Sequence, residues 1–215
     1  MHLNGFRKLV LSSIVVSTLI SGVVLAAPKK LEVNVKESKL TWIGKKIGGQ
    51  HNGIINIQSG YVQLDGKKIS GGEVVVDMKT LKNLDLTDPE YLKKLTDHLN
   101  SDDFFATEKN PTAVLKFKSS KETGKDKLEV TADLTIKGKT NKVTFPAELM
   151  WHGDLLHVKG SMVVDRTNYD IKYKSAKFFS DLGDKVINDE FEVGFEIMTQ
   201  AAKAEEPAKA KKEKK

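Results

Sequence analysis

Between Lys29 and Gln200, apolar and polar residues alternate with period two in one run after another. The clearest run puts Leu128, Val130, Ala132, Leu134 and Ile136 in one phase and Glu129, Thr131, Asp133 and Thr135 in the other. Val143, Phe145, Ala147, Leu149 and Trp151 repeat it, as do Leu156, Val158, Gly160, Met162 and Val164. Phe191, Val193, Phe195 and Ile197 alternate with acidic residues and a glycine. Successive side chains of a strand point to opposite faces, so each run predicts a strand with one apolar face. Shorter candidates are Leu40–Lys45, Ile54–Ile57, Tyr61–Leu64, Glu73–Met78 and Ala113–Lys118. Asp65-Gly66, Gly71-Gly72, Gly124, Gly138 and Gly153-Asp154 separate the runs and read as turns. Many short strands with strict alternation predict an all-β, antiparallel domain with one solvated face. The pattern leaves a sandwich and a closed barrel equally open.

One segment departs from period two. Asp88-Pro89-Glu90 has the form of a helix start, with proline early and an acid in the first turn. Leu92, Leu95 and Leu99 then recur at helical spacing among lysines. A short amphipathic helix through about Leu99 follows. Its single apolar stripe requires a surface to pack on, either the flank of the β domain or one of its ends.

The two ends of the chain read differently from its middle. Arg7 and Lys8 precede an uncharged, mostly apolar run from Leu9 to Ala26. That is the layout of a secretory signal peptide (residues 1–26), with cleavage near Ala26. Hydroxyl residues at Ser12, Ser13, Ser17, Thr18 and Ser21 dilute the run as a permanent span, so no stable membrane span is expected after cleavage. Residues 201–215 hold six lysines, three glutamates and no apolar residue larger than alanine. They predict a disordered Lys-rich tail, since too little surface can be buried to offset the ordering entropy. A solubilising role suits it, and so does a weak contact with anionic lipid.

Charge changes meaning once the ends are set aside. The chain carries a formal +6. The leader accounts for +2 and the tail for +3, which leaves +1 on residues 27–200. A nearly neutral domain lacks the clustered cations that nucleic-acid binding requires, and no nucleic-acid partner is expected. With no cysteine, the chain can form no disulfide, thiolate metal site or cysteine nucleophile.

The remaining chemistry is sparse. His152 and His157 flank a predicted turn, but nothing in the pattern aims both rings at one ion, and no metal site is expected. No G-x-S-x-G elbow and no phosphate-binding loop occur. The sequence offers no reason to read an enzyme.

Five stretches carry a family resemblance. They are Thr41-Trp42-Ile43-Gly44-Lys45 with Gly48-Gly49-Gln50-His51-Asn52-Gly53; Lys94 to Phe105 with Asn110-Pro111; Leu134 to Val143; Asp165 to Ile171; and Ile187-Asn188-Asp189-Glu190. In this order they resemble the motifs of the YceI-like family across nearly all of residues 28–200. The resemblance implies a lipocalin-like extended β-barrel, commonly periplasmic, holding a polyisoprenoid or other long-chain lipid in an elongated cavity. It implies no catalytic residues. No cofactor is required on this reading, and the bound species is a long-chain isoprenoid or a fatty-acid-derived lipid. The family also implies a rival function, a redox accessory binding an isoprenoid quinone or haem, for which His51 and His98 are the candidate ligands. A homodimer through an exposed strand edge is compatible with the pattern and not required by it.

For the cavity, the inward strand phases nominate Trp42, Phe117, Ile136, Phe145, Trp151, Met162, Phe191 and Phe195 as ligand-binding residues. A single bulge flips every later side chain to the opposite face. His51, His98, Asp102 and Arg166 lie in the resembling motifs. They read better as hydrogen-bonding anchors of loops and helix than as headgroup ligands. Asp165-Arg166 reads as a local, exposed ion pair.

Overall fold

The computed structural model describes residues 28–201. The expected leader, and the tail beyond Ala201, lie outside the described residues.

Nine strands and one α-helix follow in the order β1 (Lys29–Val33), β2 (Lys39–Lys46), β3 (Gly49–Asp65), β4 (Lys68–Asn83), α1 (Pro89–Asn100), β5 (Thr112–Gly124), β6 (Lys127–Ile136), β7 (Lys139–His152), β8 (Leu155–Asp165) and β9 (Ile187–Ala201). All pairings are antiparallel. Strands β2 to β9 pair with their neighbours in sequence, except that α1 interrupts between β4 and β5, and β9 closes on β2. The result is a closed eight-stranded barrel. Closure gives each strand of the ring a partner on both sides over part of its length, which a sandwich cannot do.

Strand β1 occupies the same place in the ring as β2, lower down. It pairs with β3 at Tyr61–Leu64 and with β9 at Thr199–Ala201, while β2 uses the other halves of both strands. Leu31, Leu64 and Leu156 meet there and are at most 2% exposed. This end of the barrel is therefore packed solid. The Thr199 hydroxyl accepts from the Leu156 N–H at 2.7 Å and donates to its carbonyl at 2.9 Å.

The opposite end carries the long connections. The loop before α1 is tied down by Asp85, which accepts hydrogen bonds from the Asn52 N–H and from the His51 ring, each at 2.8 Å. Asp88 caps α1 by accepting from the N–H groups of Glu90 and Tyr91. Segment 101–111 returns from α1 to β5, and segment 166–186, which includes the short 3-10 turns Arg166–Tyr169 and Gly183–Lys185, returns from β8 to β9. His98 joins the two: its ring stands edge-on to Phe104 at 4.9 Å and to Tyr173 at 4.5 Å. The helix thus covers one end of the barrel.

Several sequence expectations change. Ile54–Ile57 and Tyr61–Leu64 are parts of one strand, β3. Gly71-Gly72 is no turn but lies inside β4, opposite Gln63 and Val62. Strand β1 has too few residues to show a period. Asp165 and Arg166 do not pair with each other. The Asp165 carboxylate accepts from Lys177 Nζ at 2.7 Å, and Arg166 is buried with only 4% exposure. It turns inward because three backbone carbonyls there need donors.

Candidate ligand cavity

The apolar phases of the strands converge on an internal cavity of about 250 Å³. Strands β2 to β9 all contribute to its wall, and Leu99, Phe104 and Phe105 close it at the helix end. Along β9 alone the lining runs from Ile187 to Ile197. Ten steps of ~3.3 Å make roughly 33 Å of strand. At a strand tilt of ~35–45° this is roughly 25 Å of barrel axis. The cavity is thus long and narrow, and its volume lies just under the ~300 Å³ at the low end of ligand pockets.

Its wall is nearly all hydrocarbon. The polar side chains that reach it are Lys45, Tyr61, Glu73, Arg166, Asn188 and Glu190. Arg166 is already committed. Its Nε donates to the Asn188 carbonyl at 2.9 Å, Nη1 to that of Ile171 at 2.8 Å and Nη2 to that of Ile187 at 2.9 Å. Asp189 stands 3.5 Å away. Burial pulls the guanidinium below its usual value, and the nearby Asp189 and Asp165 carboxylates oppose that pull. Lys45 is paired with Glu192 at 2.7 Å.

Two glycines make the aromatic lining possible. A Cβ on Gly53 would lie 2.7 Å from the Trp42 ring and 1.8 Å from the Lys82 carbonyl. The same ring donates its Nε1–H to that carbonyl at 3.2 Å, so the indole lies flat across the glycine with its polar edge satisfied. On β8, Gly160 faces Phe195 of β9, whose ring lies 2.6 Å from where a Cβ would be. Phe195 in turn meets Phe145 edge-on at 5.4 Å.

Of the eight nominated residues, Trp42, Phe117, Ile136, Phe145, Met162, Phe191 and Phe195 line the cavity. Trp151 does not. It sits near the packed end of β7, half-buried, with Lys67 Nζ 5.8 Å above its ring. Its phase is right, but its height is wrong, because the barrel core beyond Ala147 on β7 is filled by Leu128, Leu149 and Leu156. Sequence reasoning passed over Leu99, Phe104 and Phe105, although the apolar helix stripe and the Phe-Phe pair were visible signals. It also passed over Ile69, Leu115 and Ile187, which stand at strand ends or in a broken alternation.

The motif residues act as fasteners. The His51 ring holds Asp85, His98 Nε2 lies 3.1 Å from Asp103, and Asp102 binds Lys109 at 2.6 Å. Burial pushes the Asp85 carboxyl up, but hydrogen bonds from Asn52, His51 and Asn83 outweigh it and leave it below the usual carboxylate value. Neither His51 nor His98 lines the cavity. His152 and His157 do approach across their hairpin, with rings stacked at 6.4 Å.

A closed antiparallel barrel around an elongated apolar cavity defines the lipocalin-like fold class. The YceI-like domain model matches residues 31–199, and the chain belongs to the YceI-like family. It is 32% identical over 124 residues to a UPF0312 protein of Pseudomonas aeruginosa, 58% of this chain and 58% of that protein's length. Among solved structures it is similar to BcnA of Burkholderia cenocepacia, with a TM-score of 0.62 and 22% identity over 78% of this chain and 99% of that one. It is also similar to a polyisoprenoid-binding domain of Saccharophagus degradans, with a TM-score of 0.59 and 12% identity over 82% of this chain and 100% of that one. At these identities the two structures support the fold.

Proposed function

We propose that this chain is a carrier of the bacterial periplasm that holds a polyisoprenoid or another long-chain lipid in its barrel, without covalent chemistry. The observation that carries the reading is the long cavity lined by hydrocarbon from strands β2 to β9. The binding named for the Saccharophagus domain agrees with it. Export is supported by the leader motif in residues 1–26. Among the described residues, no helix is long and apolar enough to cross a membrane.

The energetics suit a hydrocarbon ligand. Burial is worth about 0.8 kcal/mol per CH2, so a chain of about twenty carbons gains on the order of 16 kcal/mol gross. Association and ordering remove about 4–15 kcal/mol of that. The remainder, about 1–12 kcal/mol, permits a useful affinity without a single polar contact when the ordering cost is small. Such a tube selects length and width ahead of chemical identity.

The test is direct. Protein purified from its host under non-denaturing conditions is extracted with organic solvent, and the extract is examined by mass spectrometry. A long-chain isoprenoid or acyl species at close to one per protein is expected. Repeatedly empty preparations that also fail to bind farnesol would overturn the reading.

A further inference from the structure

The outer face of the barrel, at its packed end, carries a row of soft ligands. Strand β8 meets both of its neighbours through one residue: His157 stands opposite Met150 of β7 and opposite Met198 of β9. Residues directly opposite in antiparallel strands share a face, with Cβ atoms about 4.5–5.5 Å apart. That face is the outer one, because the alternate positions Leu149, Leu156 and Ile197 are buried in the core. His152 lies two residues beyond Met150 and shares the face on the diagonal to His157. The two imidazole rings are 6.4 Å apart, with 27° between their planes. Sequence spacing does not bring these four side chains to one place; the pairing of β8 with both neighbours does.

His157 is in an unusual state for a surface imidazole. Its Nε2 is shielded from solvent and has no hydrogen-bond partner among the described residues. A buried nitrogen left unpaired costs stability. The thioethers beside it cannot remove that cost by hydrogen bonding, since such a sulfur donates no proton and accepts only weakly. What an imidazole nitrogen and thioether sulfurs have in common is that they ligate soft metal ions. The cations along these strands are neutralised. Lys159, two residues along β8, is paired with Glu196 at 3.2 Å, and Lys29 is paired with Asp154 of the β7–β8 turn at 3.1 Å.

We propose that Met150, His152, His157 and Met198 form a binding site for Cu(I) on the outside of the barrel. Thioether sulfur selects Cu(I), imidazole suits copper, and none of the four groups brings a charge when it ligates. Two imidazole–metal bonds of about 2 Å each, added to the two ring radii, match the separation of His152 and His157. His152 is exposed, so its ring can turn toward the ion without disturbing the core. Harder divalent ions are disfavoured. Among the described residues, no three His, Asp or Glu side chains gather to hold one. The chain has no cysteine, so no thiolate competes for the copper. Leu149 and Leu156 fill the barrel behind the row, and the site stands whether or not the cavity holds a lipid.

The chain provides its own control. Its methionines after Met1 are Met78, Met150, Met162 and Met198, and of these Met78 and Met162 line the cavity. The full chain, carrying carbon-13 in its methionine methyl groups, is titrated without oxygen with Cu(I) and, separately, with Zn(II). Cu(I) affinity is read by competition with a chromogenic chelator. The methyl signals of Met150 and Met198 are expected to shift with Cu(I), while those of Met78 and Met162 stay in place. The double variant Met150→Leu/Met198→Leu keeps volume and apolar character. It is expected to bind Cu(I) about tenfold or more weakly, since even supporting groups around a metal are worth that much. His157→Leu is expected to weaken Cu(I) by at least as much, and Zn(II) to leave the bound Cu(I) in place. Methyl shifts in the unsubstituted protein test the site without any substitution. Signals of Met150 and Met198 that do not move overturn the proposal, as does an affinity unchanged in the double variant. Shifts confined to Met78 and Met162 would put the metal inside the barrel and overturn it too. Zn(II) bound as tightly as Cu(I) would overturn the assignment to a soft ion.

Discussion

Tyr169 is 1% exposed, and its hydroxyl has no hydrogen-bond partner among the described residues. Burial, with a smaller contribution from the Asp165 carboxylate, pushes its pKa up to about 12. The folded state therefore favours the neutral phenol. Its stabilising contribution is complete below the unfolded value near 10 and is lost as pH rises from about 10 to about 12. A buried unpaired hydroxyl costs about 1–3 kcal/mol at neutral pH. Tyr169→Phe is expected to raise Tm at pH 7 by a few degrees and to flatten the fall in stability between pH 10 and 12, as followed by thermal and denaturant unfolding. A lower Tm would show that the hydroxyl is satisfied. None of this is legible in the sequence, where Tyr169 is one aromatic in a polar loop. The same holds for Arg166. Its motif was visible, but its three carbonyl partners come from residues 5 to 22 positions away and exist only once segment 166–186 has closed over the barrel end.

At the scale of elements, the alternation placed β6, β7, β8 and β9 well, because each has four or more apolar residues in one phase. It read β3 as two pieces and cut β5 short at Lys118. In both cases the reason is physical. The strand continues, but part of it has no buried face to impose a period. The helix start was legible because capping is local chemistry, carried by Asp88 and Pro89. Register was not, and register explains Gly160. Its phase made it an ordinary inward residue, while pairing with Phe195 makes it the only residue type that fits under the ring. Gly160→Ala puts a methyl 2.4 Å from the Pro146 carbonyl as well as against Phe195. Overpacking of this kind costs about 1–3 kcal/mol. Chemical denaturation is expected to show that loss as a lower midpoint at unchanged m-value, and a neutral substitution would mean the β7–β8–β9 wall is loosely packed.

For the whole molecule, a ligand that binds only the folded barrel adds its binding energy to stability. At about 100 times Kd the gain is about 2.7 kcal/mol. One kcal/mol moves Tm by about 2–4 °C for a chain of this size, so the loaded protein is expected to melt about 5–10 °C above the solvent-stripped one. Calorimetry of stripped protein before and after addition of farnesol measures this directly. An unchanged Tm at saturating farnesol would mean that the chain does not enter the folded barrel.

Taken alone, the sequence determined the strand phases, the helix and its cap, and the near-neutrality of the domain between a leader-like start and a Lys-rich end. These are local or compositional properties, written in neighbours one to four residues apart. The ordered motifs added the family. Only the tertiary structure decided that the apolar phase encloses a cavity along part of its length and solid core along the rest. That distinction left Trp151 outside the cavity and brought Phe104 and Phe105 into it. The row of Met150, His157 and Met198 belongs to the same level. Phase is set within a strand, whereas height along the barrel and register against a neighbour are set by chain segments tens of residues apart.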